Sequence, residues 1–351
     1  MNFIISGIQQ IGIGVKDVHE AYRWYNKHLG FNVKIFEEAA VAELMLPYTG
    51  GKPQKRHAIL ALNMSGGGGF EIWQYTERIP QPPAFKIFPG DLGFNVCILK
   101  TTDITKAHKK LITDGILVSE IFTFLNNKYF YFFDLYGNPF KVLEFSEVFK
   151  KTGHPMGGVL GAAVGVGNTE RSEKFYKEVL GFSEFRGEGI CSKEEIKFLC
   201  GEELSVKRKI LFKPNPMKGP FAPVLGSAMV ELWQAEGRVP RKIFEGRQWG
   251  DLGFIHWCFD VVGMRELQKH CEKHGHPFTV DGGEGFEMGE AAGHFTYIED
   301  HDGALIEFVE TKKIPLMKKW GWYLDLRKRP FGKPLPGWML RALSLNTDKI
   351  K

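Results

Sequence analysis

Gly90-Asp91-Leu92-Gly93-Phe94 returns unchanged later in the chain as Gly250-Asp251-Leu252-Gly253-Phe254. Working outward, each copy has the same neighbours in the same order. Phe70-Glu71-Ile72-Trp73-Gln74 precedes the first copy, and Val230-Glu231-Leu232-Trp233-Gln234 precedes the second. Further upstream, Ile13-Gly14-Val15 leads to Trp24-Tyr25-Asn26-Lys27-His28-Leu29-Gly30-Phe31. Its counterpart is Val164-Gly165-Val166, leading to Phe175-Tyr176-Lys177-Glu178-Val179-Leu180-Gly181-Phe182. Downstream, Asp134-Leu135-Tyr136-Gly137 matches Asp300-His301-Asp302-Gly303. A repeat of nearly half the chain is too long for a solenoid unit and marks a duplicated domain. The boundaries fall at residues 1–150 and 151–311, with a tail over 312–351 and a linker near Lys151–Gly158.

Each half spells the same local pattern twice. The alternating run Ile11–Val15 reads as a strand. Val18, Tyr22, Tyr25 and Leu29 then recur at helical spacing, and Gly30 stands where a left-handed cap would end the helix. Runs rich in β-formers follow at 58–63 and 69–75. The second unit of the half opens at Gly93–Leu99, continues through a helix from Ile104 to Leu111, and closes with runs at 128–133 and 140–145. The expected architecture is α+β, with four βαβββ units paired into two cup-shaped sheets whose concave faces accept a ligand.

The composition sets bounds on function. With 351 residues, 43% hydrophobic and 25% charged, the chain is globular and long enough for two cores. The net charge of +5 is uneven: residues 312–351 hold eleven Lys/Arg and two Asp, so the tail carries +9 and the remainder −4. That leaves no basic face on the body for nucleic acid. No apolar run approaches the ~18 residues of a membrane span. Five cysteines without a CxxC pair read as reduced thiols, and the N-terminus shows no signal-peptide pattern, so a cytoplasmic protein is expected. Gly66–Gly69 lacks a following phosphate-binding Lys and reads as a turn.

The V-x-D segment, the FY-x-x-x-LGF block, the lone in-strand Glu and the closing D-x-x-G together resemble the glyoxalase, bleomycin-resistance and dioxygenase superfamily over roughly residues 7–311. The resemblance implies tandem glyoxalase-like domains and metal ligands at four strand positions. In the first half those positions hold Gln10, Glu71, Val96 and Lys141; in the second, Gly161, Glu231, His256 and Glu307. Neither half makes a site alone. Glyoxalase I-like members take two ligands from each half, and that grouping yields Gln10, Glu71, His256 and Glu307, leaving Gly161, Glu231, Val96 and Lys141 as a dead set. One neutral amide oxygen, one imidazole and two carboxylates suit one divalent metal ion (Zn, Ni, Fe, Mn or Co) with positions left for substrate. In the dead set, Lys141 is expected to pair with Glu231.

The same resemblance makes Glu307 the base and Glu71 its counterpart in a metal-dependent lyase or isomerase acting on a small α-oxo or α-hydroxy carbonyl substrate. Gly14 stands where glyoxalase I has a glutathione-binding Arg, and Tyr75 where it has an Asn, which argues against glutathione conjugates. Trp73, Tyr75, Phe130 and Trp257 are candidate cup aromatics, and His294 a candidate lining residue. His270, His274 and His276 read as a solvated surface cluster. Two alternatives stand beside this reading: an extradiol-type or hydroxyphenylpyruvate-type dioxygenase, whose second-half triad would lack a ligand at Gly161, and a non-catalytic ligand-binding protein. A monomer suffices for one site, and a dimer is compatible with it. The tail with Trp320, Gly321, Trp322 and Tyr323 is expected to cross the sheets or the pocket mouth rather than enter a membrane, and Pro330, Pro334 and Pro336 argue against one long helix.

Overall fold

The computed structural model describes residues 2–283, 286–288, 291–317 and 322–348. Trp320 and Gly321 lie outside them. The first unit comprises β1 (Ile4–Gly14), α1 (Val18–Leu29), β2 (Val33–Ala42), β3 (Gln54–Leu62) and β4 (Gly69–Tyr75). The second comprises β5 (Gly93–Thr101), α2 (Ile104–Thr113), β6 (Phe122–Phe124), β7 (Asn127–Phe133) and β8 (Pro139–Glu144). The third comprises β9 (Val159–Gly165), α3 (Thr169–Glu178), β10 (Glu184–Ile190), α4 (Lys193–Cys200), β11 (Ser205–Lys213), α5 (Ala222–Leu225) and β12 (Ala228–Glu236). The fourth comprises β13 (Gly253–Val262), α6 (Met264–Lys273), β14 (Val280–Asp281), β15 (Phe286–Met288), β16 (Ala291–Glu299) and β17 (Leu305–Met317). β18 (Trp322–Asp325) and α7 (Gly337–Ala342) belong to the tail.

Each sheet takes one unit from each half. The first has the order β14-β16-β17-β13-β1-β4-β3-β2, with β15 on β16 and β18 on β17. The second has the order β10-β11-β12-β9-β5-β8-β7-β6. The halves join through antiparallel pairs, β1 with β13 and β5 with β9. The convex faces and helices share one continuous core, in which Ile11, Ile13, Tyr25, Phe70, Phe140, Tyr176 and Trp257 are buried. Two smaller clusters fill the concave faces.

The repeated motifs are the hardware of this arrangement. Asp17 and Asn168 cap α1 and α3 with side-chain oxygens, satisfying backbone N–H groups that the helix leaves unpaired. The Asp of each D-x-x-G turn collects backbone N–H groups and also the hydroxyl of the FY tyrosine: Tyr25 to Asp134 at 2.6 Å, Tyr176 to Asp300 at 3.2 Å. The GDLGF blocks open β5 and β13, and each Asp is gripped by an Arg of the other half. Arg78 reaches Asp251 and Arg238 reaches Asp91, both at 2.6 Å. The block recurs unchanged because it does the same cross-half job twice.

The tail crosses the outside of the molecule. Leu326, Leu335 and Leu340 pack with Phe149, Phe221 and Ile314, and Thr347 bridges to Val33 on the edge strand β2. Its helix is one short turn-and-a-half, as the prolines require. All five cysteines are free and buried. Among the described residues no helix is long and apolar enough to cross a membrane.

Candidate metal centre

The four central strands of the first sheet supply the four side chains: β1 carries Gln10, β4 Glu71, β13 His256 and β17 Glu307. Gly12 lies opposite Glu71 on one side and His256 on the other, and Gln10 lies opposite Cys258, which in turn lies opposite Glu307. All four therefore share the concave face. His256 Nε2 stands 3.2 Å from Glu71 Oε2 and 3.1 Å from Glu307 Oε2, and Gln10 Nε2 donates to Glu71 Oε2 at 3.3 Å. Gln10, not Gln9, is the residue at the cluster.

Several of these polar atoms are left over. Gln10 Oε1, both ring nitrogens of His256 and Glu307 Oε2 are buried without an aligned hydrogen bond. Such atoms are costly unless something completes them. One carboxylate oxygen each from Glu71 and Glu307 and one ring nitrogen of His256 lie within 4.8 Å of one another, a span one cation can bridge. The donor set fits a divalent metal: three oxygens, one nitrogen and a formal charge of −2 when His256 is neutral. Without the metal, burial pushes the His256 pKa down, but Glu307 and Glu71 outweigh it and raise it to about 9. Burial likewise opposes Glu71, yet His256 and Arg56 hold its pKa below the usual carboxylate value.

Above the cluster lies a cavity of about 250 Å³, walled by Phe36, Trp73, Trp249, Phe295 and Tyr297 and rimmed by Val41–Met45. Arg56 lines it and pairs with Glu38 at 2.7 Å. Trp249 ties this wall together: its ring meets Trp73 edge-on at 4.6 Å, lies parallel to His256 at 6.1 Å, and its carbonyl accepts from the Tyr75 hydroxyl. A larger cavity of about 370 Å³ lies beyond Trp249 but reaches none of the four side chains.

Several aromatic and histidine expectations change. Phe130 and Trp257 turn into the shared convex core, away from the cup, because strand alternation places Phe130 opposite Val142 and Trp257 opposite Ile11 and Ile306. His294 points to Asp281 at 2.5 Å, while Phe295 and Tyr297 line the cup. His276 is no surface group: it is 7% exposed, and its ring bonds the Glu299 carbonyl at 2.7 Å. Trp249, Phe36, Phe295 and Tyr297 were not singled out from sequence. Only Trp249 carried a signal, its position directly before the repeated GDLGF block.

The second cup is closed. Lys141 Nζ lies 2.6 Å from Glu231 Oε1, with both side chains buried, and Trp233 donates to the other Glu231 oxygen at 3.1 Å. Helix α4, inserted only in the second half, lays Ile196 and Cys200 into that cup. It also brings Glu195 to Arg208 at 2.9 Å. Gly161 sits on β9 in this sheet, separate from the sheet holding His256 and Glu307, and a Cβ there would stand 1.9 Å from the Met229 carbonyl.

An α+β chain of this topology, with one polar cup and one plugged cup, is a two-repeat member of a known class. The sequence profile of the Glyoxalase/Bleomycin resistance protein/Dioxygenase superfamily matches residues 7–142 and 158–308, and the chain belongs to that superfamily. A search of curated proteins finds no match. Among solved structures, glyoxalase I from Zea mays is similar, with a TM-score of 0.54 at 12% identity over 87% of this chain and 92% of that one. A putative dioxygenase from Bacillus subtilis subsp. subtilis str. 168 gives 0.52 at 14% identity, covering 87% and 85%. Likeness at such identities speaks for the fold alone.

Proposed function

We propose that the protein is a divalent-metal-dependent lyase or isomerase of glyoxalase type, acting on a small α-oxo or α-hydroxy carbonyl compound. The observation that carries this reading is the meeting of Gln10, Glu71, His256 and Glu307 in one cup, where buried polar atoms of Gln10, His256 and Glu307 are left without a hydrogen bond. Those four would hold the ion, which when bound supplies a Lewis acid for two neighbouring substrate oxygens. The chain does the rest. Glu307 would take the proton from the carbon beside the carbonyl through a carboxylate oxygen and return that same proton to the adjacent carbon, with ionised Glu71, across His256 from it, as its counterpart base. Trp73, Trp249, Phe295 and Tyr297 would exclude water and seat an apolar or aromatic substituent.

Glutathione conjugates fit poorly. A Cβ at position 14 would stand 2.0 Å from the Asp251 carbonyl, so no anion-gripping side chain can be carried there. The dioxygenase alternative loses support from topology, since Gly161 belongs to the other sheet.

The test is solvent-deuterium exchange at the carbon beside the carbonyl, followed by NMR with aryl and alkyl α-oxo aldehydes and α-hydroxy ketones on metal-loaded protein. Glu307→Gln should slow exchange by about 10²–10⁴-fold, the range for a positioned acid or base. Oxygen uptake with catechols and no exchange would overturn the proposal.

A further inference from the structure

We propose that His19, Glu37 and His57 form a second site for a divalent transition-metal ion, on the convex side of the wall that encloses the cup. Three elements converge there. His19 comes from the first turn of α1, Glu37 from β2 and His57 from β3. Glu37 Oε1 lies 3.6 Å from His19 Nε2 and 3.2 Å from His57 Nε2, and the two imidazoles meet edge-on at 5.1 Å. All three donor atoms fall within 4.8 Å of one another, as do those of Glu71, His256 and Glu307 in the cup. Two neutral imidazoles and one carboxylate oxygen are ligands for Zn²⁺ and its neighbours rather than for Mg²⁺ or Ca²⁺, and they leave a fourth position to water.

The local charges permit it. Lys34 Nζ bonds the other Glu37 oxygen at 2.7 Å, so it leaves Oε1 to the imidazoles, and it has a second anionic partner in Asp348 at 3.4 Å. Asp17, which caps α1 and accepts from His19 N, adds a further negative charge beside the cluster.

Placement gives the site a consequence. β2 is the edge strand of its sheet, and beyond Phe36 its residues alternate between half-buried and exposed. Strand alternation sends neighbours to opposite faces. Glu37 and His57 thus stand outside, while Glu38 and Arg56, one residue away on the same strands, pair inside the cup at 2.7 Å. An ion held outside would tie α1, β2 and β3 together and stiffen the wall that lines the substrate cavity. This inference does not depend on the reaction proposed for the cup.

The experiment is Zn²⁺ binding to the full chain after chelator stripping, read as ions per chain by elemental analysis and as Kd by titration. The wild type should bind two Zn²⁺. His19→Ala, at an exposed position, and His57→Ala, at a half-buried one outside the core clusters, should each bind one and weaken the second site by at least about 100-fold, since altering even an outer-shell partner costs up to about that. His256→Ala should also bind one, and His57→Ala with His256→Ala none. If the wild type binds a single ion that His57→Ala removes, the outer site stands and the cup assignment fails. A stoichiometry unchanged by both His19→Ala and His57→Ala, or a single ion removed only by His256→Ala, overturns the outer site.

Discussion

Gly12 determines where His256 can stand. A Cβ added there would lie 2.4–2.8 Å from the His256 ring atoms, closer than any real contact. The backbone at Gly12 is not left-handed, so alanine strains nothing except that ring. Gly12→Ala is therefore expected to keep the fold, seen by circular dichroism, and to weaken metal binding by at least about tenfold, because ligand orientation controls affinity. The dead cup makes the same comparison internally: Ala163 there faces Val96 and Glu231, and no imidazole needs the room. A second residue gives a pH signature. Asp260 is buried, and burial, aided by Glu310, raises its pKa to about 7 from 3.8 despite the nearby Ser6 hydroxyl. The native state thus keeps a proton that the unfolded chain releases, so the stabilisation is complete below about pH 4 and lost as pH rises through about 7. The loss is about 1.4 kcal/mol per pH unit across that window. Asp260→Asn should flatten it, and thermal midpoints at pH 5 and pH 8 should lie closer together than in the wild type. An unchanged gap would remove Asp260 from the account.

At the scale of elements, the plugged cup rests on compensated charge. Lys141 and Arg208 face Glu231 and Glu195, all deeply buried. Removing one partner of such a pair leaves a charge with neither water nor counter-ion. Lys141→Met should therefore destabilise the protein by about 3–5 kcal/mol, and Lys141→Met with Glu231→Gln should recover most of that, as measured by denaturant unfolding. Equal stabilities for the single and double variants would contradict this. The Lys141–Glu231 pair was legible in the sequence, because two matched strand positions held opposite charges. So were the four units, since every repeated block marks a turn, cap or cross-half grip that both halves need, while the cross-half grouping came from the resemblance to glyoxalase I-like chains. Helix α4 was not. It has no counterpart in the first half, and its capping box of Ser192 and Glu195 lies in a stretch that the repeat does not cover. The cup wall was only half legible: Trp73 sits in a repeated block, whereas Phe36, Phe295 and Tyr297 lie on strands whose inward parity depends on bulges such as those between Lys34 and Phe36 and between Ala292 and Gly293.

At the scale of the whole molecule, the repeat and the sheets follow different boundaries. The family profile matches residues 7–142 and 158–308 as two repeats, yet β1 pairs with β13 and β5 with β9, so each half contributes to both sheets. A half produced alone would leave the central edges of β1 and β5 without their partners, and a second copy of the same half is the natural cover for such edges. Pairing like with like would bring Gln10 and Glu71 together with Val96 and Lys141, a set without an imidazole and with an ammonium where a cation should go. Residues 1–150, made alone, should therefore fail to bind Zn²⁺ at the cup even where they self-associate, whereas residues 151–351 paired with themselves would gather Gly161, Glu231, His256 and Glu307 and keep an imidazole and two carboxylates. Co-expressed, the two fragments should assemble one-to-one and regain a Zn²⁺ ion that is lost on His256→Ala in the second fragment. The His256 variant isolates the cup from the cluster at His19, Glu37 and His57, which lies wholly within the first fragment. A His256-dependent ion in the co-expressed pair that survives Gln10→Ala with Glu71→Ala in the first fragment would mean that the site needs nothing from β1 and β4, and the cross-half centre would have to be abandoned.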